Sequence, residues 1–153
     1  MNESGMDDTI PLKPLPRETI TSLLLREHVA LRREMADLAA WLPNGPSPQA
    51  ARDRAVQLAA PLELHARRED DLLFAALRGR SEAARRLVDL MSLVHDEVHG
   101  LFEEVTTASD PVPILWTILD LTETHFRREE SELFPLAESL LGPELLVRMA
   151  RGG

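Results

Sequence analysis

The sequence predicts an all-α fold, an up-down-up-down antiparallel four-helix bundle followed by a short C-terminal helix. Three observations carry this. Leu, Ala, Arg and Glu dominate while strand signals are weak throughout. Turn residues cut the chain into four long segments. The connections between them are short, which makes neighbouring helices antiparallel.

Residues Met1 to Arg17 are polar and hold Pro11, Pro14 and Pro16, so a flexible arm is expected over 1–17, ahead of one domain over 18–153. The first helix is expected from about Glu18 to Leu42. Leu24, His28, Leu31, Met35 and Leu38 recur there at three- and four-residue steps and form one inward stripe. Pro43-Asn44-Gly45-Pro46 ends it. The second opens with Ser47 as N-cap and Pro48 in the first helical position, and runs to about Arg78 with Gly79 as its C-terminal cap. Pro61 predicts a kink or break one turn before His65. The third runs from Ser81 to about Ser109, weakened but not ended by Gly100. The fourth opens at Asp110-Pro111, bends near Pro135 and stops at Gly142-Pro143, leaving a short helix over Glu144 to Ala150.

Composition narrows the chemistry. A formal charge of -9 with no basic stripe argues against nucleic acid as a partner. The absence of cysteine excludes disulfides, thiolate metal sites, iron–sulfur clusters and thiol nucleophiles, and fits a reducing cytoplasm. The absence of tyrosine excludes a tyrosyl radical or phenolate ligand. Residues 1–17 lack the basic start and apolar run of an export signal, and no apolar stretch is long enough to span a membrane. A cytoplasmic protein is therefore expected.

All five histidines fall in the four helical segments: His28, His65, His95, His99 and His125. Three i,i+4 patterns accompany them: His65 with Glu69, His95 with His99, and His125 with Glu129. A step of four residues turns about 400°, so each pair closes on one helix face. Counted from the turns at one end of the bundle, the histidines lie between 10 and 18 residues deep, a spread of roughly 12 Å at about 1.5 Å per residue. Four helices thus deliver imidazoles to one layer, where burial without partners would be costly. A single histidine or H-x-x-x-E pair is a common surface or core feature; it is the joint pattern that points to metal.

Imidazole and carboxylate without sulfur suit iron, manganese or zinc. Five histidines and two glutamates exceed one four-coordinate zinc site, so two ions are expected. Two octahedral ions offer about twelve positions. The full candidate set with a bridging oxygen fills all but one, which would be the ligand-binding position.

The stretches LLREHVALRREM, LHARREDDLLF, LVHDEVHGLF and THFRREESELFPL resemble the hemerythrin-like, HHE cation-binding family over about residues 18–141. The resemblance implies ligands His28, His65, Glu69, His95, His99, His125 and a fourth-helix carboxylate. It also implies two non-haem iron ions with an oxo or hydroxo bridge. Oxygen carriers of the family place an Asp five residues after the fourth-helix histidine, where this chain has Glu130. Regular helix favours Glu129 instead, unless the helix distorts near Pro135. The function implied is binding of dioxygen or a related small ligand, for sensing or storage. The alternatives are a redox enzyme acting on peroxide or nitric oxide, and an iron-handling protein. Ferritin-like E-x-x-H and protease H-E-x-x-H patterns are absent.

Overall fold

The computed structural model describes residues 15–152 and is helical, with no strand among the described residues. Helix α1 spans Ile20–Trp41 and α2 spans Pro48–Arg68; α2 runs on through a wide π-type segment, Glu69–Phe74, and a last turn, Ala75–Leu77. Helix α3 spans Glu82–Thr107. Helix α4 spans Val112–Arg128, passes through a second π-type segment, Glu129–Leu133, and continues over Phe134–Leu141; α5 spans Pro143–Ala150. Residues 1–14 of the expected arm lie outside the described residues.

Local chemistry accounts for the helix ends. Thr19 and Ser22 form a reciprocal capping box at the start of α1. Ser47 and Ser81 each accept a hydrogen bond from the backbone N–H three residues on, at 3.2 and 3.0 Å. Gly45 ends the first connection at φ 70, a conformation that glycine adopts without strain. Two expectations need correction. Pro61 lies inside α2 without breaking it. Leu58, Leu62 and His65, all buried, anchor α2 on both sides of the proline, and this packing outweighs the lost backbone bond. Gly79 does not take the left-handed conformation of a glycine cap; the chain leaves α2 through a turn in which the Arg80 N–H bonds the Leu77 carbonyl.

Helices α1 to α4 pack in a ring, each against the next and α4 back against α1. Helix α5 packs on α1. The interior is layered. One apolar cluster gathers Ile20, Leu24, Leu73, Phe74, Met91 and Leu133 with the buried residues of α5. A second gathers Leu31, Met35, Leu58, Leu115, Ile118 and Phe126. His28 stands between Leu24 and Leu31 on α1, so the histidine layer lies between the two clusters.

The two π-type segments occupy matching places. HARREDDLLF (65–74) and HFRREESELF (125–134) share the same His, Arg-Arg, Glu, Leu and Phe positions. In each, the wide turn begins at the glutamate four residues after the histidine.

Candidate metal centre

Six of the seven candidate residues meet in the buried layer. His28, His65, Glu69 and Glu129 form one group, and Glu69, His95, His125 and Glu129 a second; the potential ligand atoms of each lie within 4.8 Å of one another. The two glutamates belong to both groups. Each group offers two imidazoles and two carboxylates, a donor set able to hold a metal ion.

The internal distances fit that use. His28 Nε2 and His65 Nε2 stand 3.1 Å apart, and His95 Nε2 and His125 Nε2 stand 3.0 Å apart. Two imidazole nitrogens bound at right angles to one ion, each at about 2.1 Å, are separated by about 3.0 Å. Glu69 Oε1 lies 2.6 Å from His65 Nε2, and Glu129 Oε1 lies 3.1 Å from His125 Nε2. Yet all four oxygens of these two carboxylates are buried without a hydrogen-bond partner. The imidazoles approach them without aiming an N–H at them. Buried carboxylate oxygens in that position call for a cation.

The outward nitrogens explain the orientation. His28 Nδ1 donates to Glu130 at 3.0 Å, His95 Nδ1 to Asp70 at 3.1 Å and His65 Nδ1 to Glu27 at 3.4 Å. A carboxylate only accepts, so each bond keeps a proton on Nδ1 and turns Nε2 toward the centre as the nitrogen that would ligate a cation. The carboxylates are themselves held. Arg32 donates to both oxygens of Glu130, at 2.6 and 3.1 Å, and to Glu123 at 2.9 Å, and Arg68 donates to Glu27. Ring packing adds rigidity, with His28 stacked on Phe126 at 3.9 Å and His95 on Phe74 at 5.4 Å.

His125 is the exception. Its Nδ1 is buried with no partner, as is the nearby Thr122 hydroxyl. The carboxylate serving His65 comes from Glu27, the residue before His28 on α1; the residue before His95 on α3 is Val94, which cannot accept a bond.

Electrostatics follow the same contacts. Burial lowers each imidazole pKa, and the carboxylates overcome it. Glu129 and Glu69 raise His28 to about 9, Glu69 and Glu27 raise His65 to about 10, and Asp70 and Glu69 raise His95 to about 10. His125 is raised too, chiefly by Glu129. Burial pushes Glu69 up, but the charge of His65 and the close approach of the His125 and His28 imidazoles hold it well below the usual carboxylate range. Glu129 goes the other way, raised by burial and by the neighbouring charge of Glu69.

His99 corrects the expected set. Its side chain is 64% exposed and its Nε2 pairs with Glu103 at 3.2 Å, outside both groups. Residue 99 is one turn closer to the end of α3 than His95, which carries it out of the layer. Glu129 and Glu130 divide the work: Glu129 points into the centre, and Glu130 bonds the outer nitrogen of His28. The distortion foreseen near Pro135 exists but begins at Glu129, so the step from His125 to Glu129 stays α-helical. Sequence reasoning passed over Glu27, Arg32, Arg68 and Thr122 and assigned Asp70 no part. Their only signal was position: Glu27 precedes a candidate histidine, and Asp70 and Glu130 each follow a candidate glutamate.

No helix among the described residues is long and apolar enough to cross a membrane. A family model described as the Hemerythrin HHE cation binding domain matches residues 19–137. No curated protein and no solved structure matches the chain.

Proposed function

Because the chain belongs to the hemerythrin HHE cation-binding family, we propose that it holds two non-haem iron ions and binds dioxygen or a related small ligand there, for oxygen or redox sensing or for storage. The ligand set is His28 and His65 on one ion, His95 and His125 on the other, and Glu69 and Glu129 across both. The observation carrying this reading is the sharing of both glutamates by two groups of imidazoles. An up-down-up-down arrangement of α1 to α4, in a domain over 18–153, accounts for four helices presenting ligands to one layer. A cytoplasmic location suits the reduced metal.

When bound, iron supplies redox chemistry and open coordination positions. The chain supplies the rest. Glu27, Asp70 and Glu130 hold three imidazoles in the tautomer that presents Nε2 inward. The apolar clusters bound the layer on either side along the bundle.

With His99 outside, four nitrogens, two bridging carboxylates and an oxo or hydroxo bridge fill about ten of twelve octahedral positions. Two open positions rather than one favour the second reading, a redox enzyme acting on peroxide or nitric oxide. Iron titration with metal analysis and a visible spectrum of the aerobic protein test the centre. Saturation at two ions per chain with an oxo-bridge absorption is expected, and saturation at one removes the di-iron reading. Peroxide or nitric oxide consumption by the loaded protein then separates enzyme from carrier.

A further inference from the structure

The two pairs of imidazoles are supported differently from behind. His28 and His65 each have a carboxylate on the outer nitrogen, Glu130 at 3.0 Å and Glu27 at 3.4 Å. An arginine fixes each of those carboxylates in turn: Arg32 holds Glu130 by two bonds, and Arg68 holds Glu27. In the second pair, His95 has Asp70 at 3.1 Å, and His125 has no partner on Nδ1. Among the described residues Asp70 bonds only His95, and its side chain is 44% exposed, against 27% for Glu130 and 21% for Glu27. Water competes for an exposed carboxylate, so Asp70 orients its imidazole less firmly than the clamped pair do.

The sequence shows where the difference arises. Glu27 stands one residue before His28 and Arg32 four residues after it; the same places around His95 hold Val94 and His99. Glu27 reaches from α1 to the histidine of α2, and Arg32 from α1 to the carboxylate of α4. On α3 the valine has no acceptor to offer His125, and His99 turns to Glu103 at 3.2 Å rather than to Asp70. The inward ligands do match, since each group has two imidazoles and the shared Glu69 and Glu129. With equal donors facing the ions, the outer partners decide which position binds more tightly.

We infer that the two ion positions are unequal. The His28–His65 position fills first, the His95–His125 position holds the weaker and exchangeable ion, and Glu27 and Arg32 are the positioning residues that set this order. The inference rests on the di-iron reading and deepens it. Loss of an outer partner costs about 10- to 100-fold in metal affinity, so the chain passes from a one-ion to a two-ion form over a range of free metal of that order.

Ferrous ion titrated into the full chain under nitrogen, followed by calorimetry, tests the order in variants that keep one intact pair, where the two ions cannot influence each other. His125→Ala is expected to hold its ion about 10- to 100-fold more tightly than His65→Ala holds its own. Equal affinities or the reverse order overturn the inference. Two further variants carry the test should neither alanine variant hold an ion. Glu27→Ala should weaken the first step of binding and leave the second as it is. Val94→Glu, at a half-buried position, supplies the missing acceptor and should tighten the second step alone. An unchanged first step in Glu27→Ala overturns the inference, as does a Val94→Glu chain of native helicity whose second step does not tighten. Saturation of the unaltered chain at a single ion would instead remove the di-iron reading, and the alanine variants would still report which imidazoles hold that ion.

Discussion

Neighbouring carboxylates with different tasks are the main lesson at the level of single residues. Glu129 is buried among the imidazoles, while Glu130 is bonded to the back of His28 and clamped by Arg32. Glu129→Ala should therefore lower the iron bound per chain, whereas Glu130→Ala should keep the stoichiometry and weaken affinity about 10- to 100-fold, the usual cost of losing such an outer partner. Asp70→Asn should behave like Glu130→Ala. Iron titrations of the three variants decide this, and the reverse order for Glu129 and Glu130 would mean that the oxygen-carrier spacing is in use. The raised histidines make a second prediction. Their folded pKa values lie above 6.5, so in the iron-free protein they contribute stability that is complete below 6.5 and lost as pH rises through about 9 to 10. Glu69, held below 4.5, contributes stability that is lost as pH falls through its lowered value. Iron-free stability should thus peak between 4.5 and 6.5 and decline above. Because ligation needs neutral imidazoles, iron uptake near neutral pH should release protons and tighten as pH rises. Calorimetry in buffers of different ionisation heat measures the release, and none at all would contradict the cluster's electrostatics. The pairing of His65 with Glu69 and of His125 with Glu129 was legible because a four-residue step fixes a helix face. The same step misled for His99, since sharing a face with His95 says nothing about depth, and His99 was already the shallowest of the five.

At the scale of elements, helix starts were easier to read than ends. Ser47 and Ser81 are small polar residues whose hydroxyls satisfy an orphan N–H, a local signal that tertiary packing does not erase. Ser81→Ala should cost about 1 kcal/mol, read as a lower urea midpoint at unchanged slope. A midpoint equal to wild type would show that the cap at α3 contributes nothing. Helix ends and interruptions were harder because they depend on packing. Pro61 is a breaker by local rules, yet α2 continues through it on the anchors Leu58, Leu62 and His65. The wide turns were invisible in composition. Each forms where the Ala75 N–H reaches the Asp70 carbonyl, or the Phe134 N–H the Glu129 carbonyl, five residues back. What they do share is a sequence, with the same Arg-Arg-Glu and Leu-Phe framing both.

For the whole molecule, a polar layer set between two apolar clusters ties stability to metal. The layer holds four imidazoles and two carboxylates, and burying them uncompensated is unfavourable, so an ion bound there stabilises the fold by mass action. The pairing of α1–α2 with α3–α4 goes further. Each hairpin supplies two imidazoles and one glutamate, and each hands its carboxylate across to the other: Asp70 of the first serves His95, and Glu130 of the second serves His28. The two hairpins thus repeat one another at the ligand positions, whereas the contacts of Glu27 with His65 and Arg68, and of Arg32 with Glu130, have no counterpart in the other half. The two halves, cut at the turn around Gly79 and expressed as separate peptides, should therefore reassemble when iron is supplied and stay apart in a chelator. Size-exclusion chromatography would read the outcome, and halves that associate equally well without metal would show that the apolar clusters alone had joined them.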